Sequence, residues 1–142
     1  MRPRAAGNSP QRMHGQRWGT GDRGSASLEL VIVFPVLLLL IFGGVQGALY
    51  YYGRSIALAA AQEGSRTAAA QNGSTGAGQA AAAAFITQAG GNDVLQGPQI
   101  SSSRSATDAT VTVHGSSLSI LPFWGGPTIT QSASAPLERL TG

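Results

Sequence analysis

No charged side chain occurs between Glu29 and Arg54, and Leu30-Val-Ile-Val-Phe-Pro-Val-Leu-Leu-Leu-Leu-Ile-Phe-Gly-Gly-Val45 is almost wholly apolar. A helix that crosses the hydrocarbon layer needs about 20 such residues. A small soluble domain would have nothing to bury a run of this length, so Leu30 to Tyr52 is predicted to be a single transmembrane helix. Past it, Arg54 to Ala70 is rich in Ala, with Gln62, Glu63 and Arg66, and extends the helix beyond the membrane despite Gly64. Asn72-Gly73-Ser74-Thr75-Gly76 breaks it. Ala77 to Ala89 then reads as a second short helix stopped at Gly90-Gly91, with Ala80–Ala84, Phe85 and Ile86 as a packing stripe.

Beyond Gly97-Pro98 the period changes from helical to alternating. Ala109-Thr-Val-Thr-Val-His114 alternates apolar and polar residues, the pattern of a half-buried strand. Gly115 to Ser117 reads as a turn, Leu118–Leu121 as a third short strand, and Thr128 to Ser134 as a weaker alternating strand. Pro122, Pro127 and Gly125-Gly126 bracket Trp124 in an irregular loop. The expected fold is α+β: a disordered leader (1–24), a transmembrane and extended helix (25–70), and a small α+β region (71–142). In that last region a short helix and a small antiparallel sheet pack on the outer part of the long helix.

Charge sets the orientation. Arg2, Arg4, Arg12, Arg17 and Arg23 against Asp22 leave +4 on residues 1–24. Arg54, Arg66, Arg104 and Arg139 against Glu29, Glu63, Asp93, Asp108 and Glu138 leave −1 on residues 25–142. Positive charge flanking a membrane helix stays on the cytoplasmic side, which puts the N-terminus in the cytoplasm of a single-pass inner-membrane protein and the C-terminal region outside. Tyr50, Tyr51 and Tyr52 suit the outer interface, although three tyrosines lining a helix need no further explanation. The basic pI belongs to the tail; with no interleaved aromatics and no motif, nucleic acid is not an expected partner.

Composition removes other functions. Cysteine is absent, so there is neither a disulfide nor a thiolate metal site. His14 and His114 lie in unlike segments without ligand-spaced acids, and the predicted topology puts them on opposite sides of the membrane. That separation leaves the serines without a triad. Gly73–Gly78 has no preceding strand and no Lys, so it is no phosphate loop. Neither a cofactor nor catalysis is expected.

The informative residues lie at the junction Arg23-Gly24-Ser25-Ala26-Ser27-Leu28-Glu29-Leu30. A carboxylate at the bilayer centre costs roughly 2.5–3.5 kcal/mol on insertion scales, and less at the edge where Glu29 falls. One reading makes Glu29 a first-turn acid favoured by the helix dipole. The other uses its spacing: a cut after Gly24 would give Ser25 an α-amine four residues before Glu29, on the same helix face. Amine and carboxylate could then neutralise each other within one chain or between neighbouring copies. Gly24, lacking a side chain, suits entry into a protease cleft.

A basic leader ending in Gly, then four residues, a Glu and an apolar helix resembles the type IV prepilin signal. Together with Pro35, the Leu run and Gly43-Gly44, the junction more closely resembles the TadE-like family. Ala60-Ala61-Gln62-Glu63-Gly64-Ser65-Arg66 is similar to that family's Ala-rich stretch. Leu30 stands where the family usually has Phe, and Gln62 where Arg is common; neither alters the Gly24–Glu29 spacing. The resemblance covers about residues 22–67 and implies a pseudopilin or minor pilin of a Tad pilus, structural or assisting assembly. It implies cleavage by a prepilin peptidase between Gly24 and Ser25, with Glu29 as the position-five glutamate used in subunit pairing. The implied partners are the lipid bilayer, that peptidase, other Tad pilus subunits and inner-membrane assembly proteins.

Two further features lie within the apolar run. Pro35 removes a backbone hydrogen bond and kinks the helix, which either aims its start at a neighbour or has no special role. Gly43 and Gly47, with Gly44 and Ala48 one residue on, form paired small-residue steps that let membrane helices approach closely, though glycine is common in such helices anyway. The competing reading is a secreted protein released by ordinary signal peptidase near Ala57-Leu58-Ala59. Against it, the apolar run exceeds the 7–15 residues of a signal peptide's apolar region.

Overall fold

The computed structural model describes Pro3, Gly7, Pro10 and residues 21–139, with side chains along the first helix described from Gly24. The disorder expected of the leader thus concerns residues that lie largely outside those described. Residues 21–24, assigned to the leader on sequence, already belong to helix α1 (Gly21–Ala69). The chain forms two compact units, Met1–Val36 and Leu37–Gly142, and α1 contributes to both.

In the first unit every side chain from Gly24 to Val36 is exposed, and Pro35 lies inside the helix. Mean hydropathy along α1 reaches 2.7 over a stretch of which none is buried, so the helix is long and apolar enough to cross a membrane.

The second unit is the remainder of α1 with a small α+β head. Gly53, Ile56, Ala57, Ala60, Ala61, Gly64, Ser65, Ala68 and Ala69 are buried along one face of α1, at alternating steps of three and one. That spacing is the stripe of a helix packed on one side. Its residues are nearly all Ala and Gly, so backbones come together instead of long side chains interdigitating. Helix α2 (Thr75–Gln88) starts at Ser74, whose Oγ accepts from the Ala77 N–H at 3.1 Å and so satisfies one of the helix's unpaired donors. Where α2 meets α1, a Cβ on Gly64 would stand 2.7 Å from the Gly78 carbonyl oxygen, and one on Gly78 2.8 Å from that of Gly64. The contact therefore requires glycine on both sides.

A short 3₁₀ turn, Gly91–Asp93, leads into three antiparallel strands ordered β1-β2-β3: β1 (Leu95–Arg104), β2 (Asp108–Ser117) and β3 (Thr128–Pro136). On the central strand Ala109, Val111, Val113, Gly115 and Ser117 are buried, while Thr110, Thr112, His114 and Ser116 are not. Val111 and Val113 join Ile129, Leu95, Ile86, Ala82 and the Ile56–Ala61 face of α1 in one core, while Ala109 packs with Ala68 and Ala69 in a second, smaller one. The opposite sheet face carries a row of polar pairs: Thr110–Ser134 at 2.7 Å, Thr112–Ser132 at 2.6 Å and His114 Nδ1–Thr130 at 2.7 Å.

The predicted α+β class and two of the strands match the structure, and two local readings need correction. Leu118–Leu121 is not a strand but part of the β2–β3 loop, and Gly115–Ser117 is no turn but the end of β2. The third strand is β1, whose only large apolar residues are Leu95 and Ile100. Its pairing with β2 shifts between Gln96 and Gln99, so Gly97 and Pro98 form a bulge, which accommodates a proline that cannot donate to the ladder. Gly97 has φ +55°, a conformation that suits a residue without Cβ.

Candidate functional site

The expected site residues fall in two places, one in each unit. In the first, Ser25 and Glu29 are exposed one turn apart on α1, the spacing at which two side chains share a helix face. Gly24 precedes them, with nothing within 4 Å of where its Cβ would be. The Gly24–Ser25 peptide lies near the N-terminal end of the described part of α1 (Gly21–Ala69). Pro35 follows, beside the exposed Leu30, Val31 and Phe34.

In the second unit, a Cβ on Gly43, Gly44 or Gly47 would meet nothing within 4 Å, so among the described residues none fills the small-residue steps. Ala48 is exposed beside them, as are Leu39, Leu40, Ile41, Phe42 and Val45. No core residue of the head covers this stretch. The tyrosines divide their roles. Tyr51 and Tyr52 are exposed, Tyr50 packs against the core, and the Tyr52 hydroxyl lies 3.4 Å from the Ala89 carbonyl that ends α2.

Sequence reasoning passed over Gln46, the one polar side chain between Pro35 and Ala48. Its amide is used at both ends: Nε2 donates to the Leu118 carbonyl at 3.0 Å and Oε1 accepts from the Ile120 N–H at 3.1 Å. An amide inside an uncharged apolar run was the available signal, since a polar group there needs a partner.

Among the described residues no group of three or more His, Cys, Asp or Glu is placed to hold a metal. His14 lies outside them, and His114 sits on the polar sheet face against Thr130.

An exposed apolar N-terminal helix of membrane-spanning length, carrying a small α+β head, defines the class. Residues 24–66 match the family model described as TadE-like protein. That match starts at Gly24, ends within the buried stripe of α1, and supports a protein associated with the Tad pilus, a structural and assembly family. No curated protein and no solved structure matches the chain.

Proposed function

We propose that the chain is a membrane-anchored pseudopilin or minor-pilin-like subunit of a Tad pilus, with its N-terminus in the cytoplasm and the α+β head outside. The observation that carries this reading is the coincidence of the family match with α1, whose apolar surface is uncovered through Val45. An uncovered apolar helix must be covered by lipid or by other helices. A pilin-type subunit uses both in turn, lipid before assembly and neighbouring subunits after it. The exchange is nearly neutral for the apolar side chains, so packing and polar contacts decide it.

Under this reading a prepilin peptidase cuts between Gly24 and Ser25. The new Ser25 amine and the Glu29 carboxylate then remove each other's charge as the helix start leaves the interface. Gly43, Gly44, Gly47 and Ala48 allow a neighbouring helix to approach. Release by ordinary signal peptidase near Ala57-Leu58-Ala59 fits poorly, because a cut there would strip Gly53, Ile56 and Ala57 from the core of the head.

The test is fractionation of cells that make the pilus. The protein is expected in the inner membrane and, as a minor component, in sheared surface filaments. A soluble form in the medium beginning near Ala60 would replace this reading with secretion.

A further inference from the structure

The β2–β3 loop, Leu118 to Pro127, exposes a set of large apolar side chains that the head does not use. Phe123 is fully exposed, Trp124 is 71% exposed, and Leu118 and Ile120 are each 36% exposed. No charged residue occurs between Asp108 and Glu138. The loop is not held against the head alone. Its backbone is tied to α1 by Gln46, and Ser119, Leu121, Trp124, Gly125 and Pro127 face Gly43 and Gln46 across a cleft of about 230 Å³. Gln46 lies five residues before Tyr51, about 7–8 Å nearer the apolar centre of the run at 1.5 Å rise per residue. The loop thus descends beside the uncovered part of α1, past the tyrosines.

Irregular backbone can enter a bilayer only where its polar groups are met by protein. This loop meets that condition at several points. The Ile120 N–H is taken by Gln46 and the Leu118 N–H by the Val94 carbonyl; the Leu121 N–H finds Ser119 Oγ, and the Trp124 N–H the Leu121 carbonyl. Pro122 and Pro127 have no N–H to satisfy. The Leu118 carbonyl accepts from Gln46.

We propose that this loop dips into the bilayer leaflet on the side of the head, seating Phe123 and Trp124 at the boundary between headgroups and acyl chains while Gln46 holds its backbone. The occupant of the apolar patch is therefore lipid. The patch is continuous with a helix surface that itself requires lipid, and Trp is enriched at that depth. The inference rests on the reading of α1 as a membrane helix. Its consequence is that the head is fixed in height and orientation on the membrane by two points, the helix and the loop.

The test uses the full chain carrying Trp18→Phe, which leaves Trp124 as the sole tryptophan. It is reconstituted in phosphatidylcholine–phosphatidylglycerol vesicles containing lipids spin-labelled at a shallow or a deep acyl position. A second protein, Trp18→Phe/Trp124→Phe/Leu40→Trp, reports on the helix itself. Lipid-borne labels are expected to remove most of the Trp124 emission, the shallow label more than the deep one, and aqueous acrylamide to quench it several-fold less than free tryptophan. Gln46→Leu should move Trp124 towards the aqueous quencher. If Leu40→Trp is quenched by lipid while Trp124 answers only to acrylamide, the loop is in water and the proposal is overturned. If Trp124 is shielded from both quenchers, protein covers it, and lipid is again the wrong occupant. If neither tryptophan responds to lipid labels, the membrane reading of α1 fails and the loop proposal with it.

Discussion

Glu29 and Gly64 show how single residues in one helix answer to different demands. Glu29 is exposed on the first unit, so nothing in the fold of the head depends on it. Under the proposed function its carboxylate matters only when the helix start meets neighbouring subunits. Glu29→Gln, which keeps shape and removes charge, is expected to leave membrane insertion unchanged and to lower recovery in sheared filaments several-fold. Equal recovery of both proteins would remove the pairing role. Gly64, by contrast, is a matter of stability. A Cβ there would fall 2.7 Å from the Gly78 carbonyl and 3.0 Å from the Ala82 Cβ, both on a packed helix that cannot swing aside. Gly64→Val should destabilise the head by about 1–3 kcal/mol or more, as overpacked cores do, read as a lower thermal midpoint in detergent. Sequence alone registered Gly64 as a weak point in a helix, because a requirement for close backbone approach shows only once α2 is in place.

Among the elements, those with a strong period or a long uniform run were legible and those built from small or hydroxylated residues were not. Helix α1 announces itself because no charge interrupts it from Leu30 to Gly53, and β2 because Val111 and Val113 alternate with threonines. Strand β1 escaped because its stretch Gln96-Gly-Pro-Gln-Ile-Ser-Ser-Ser-Arg104 has one exposed face and an edge, so little of it needs to be apolar. Leu118–Leu121 was misread for the opposite reason. Its apolar residues do not reflect a half-buried strand but lie in a loop tied to α1 through Gln46. The buried stripe from Gly53 to Ala69 was likewise hidden, since Ala is both a good helix former and a close-packing residue. Gly43, Gly44 and Gly47 remain open to a partner, as a Cβ at any of them would meet none of the described residues within 4 Å. The double change Gly43→Leu/Gly47→Leu should weaken association in a membrane two-hybrid assay. Unchanged association would mean that these glycines serve no helix contact.

Taken whole, the protein couples an apolar helix to a head with a thin core. The largest fully buried apolar side chains are Ile86, Leu95, Ile129, Val111 and Val113; most of the remaining core is alanine. Alanine contributes little apolar area, so each large residue carries much of the stability. Ile86→Ala is expected to cost roughly 2–5 kcal/mol, a large part of the 5–15 kcal/mol typical of a domain. Limited proteolysis of the head would read this as faster cleavage. The family match covers residues 24–66 of α1 and leaves the sheet outside it. The proposed function therefore turns on how the helix begins. Within a helix glycine is about 1 kcal/mol less favourable than alanine, so Gly24 lowers the cost of unwinding the Gly24–Ser25 bond for a protease. N-terminal mass spectrometry of the protein from membranes of peptidase-positive and peptidase-deficient cells tests this most directly. The account predicts a chain starting at Ser25 in the first and an uncut leader in the second; an uncut leader in both would contradict it.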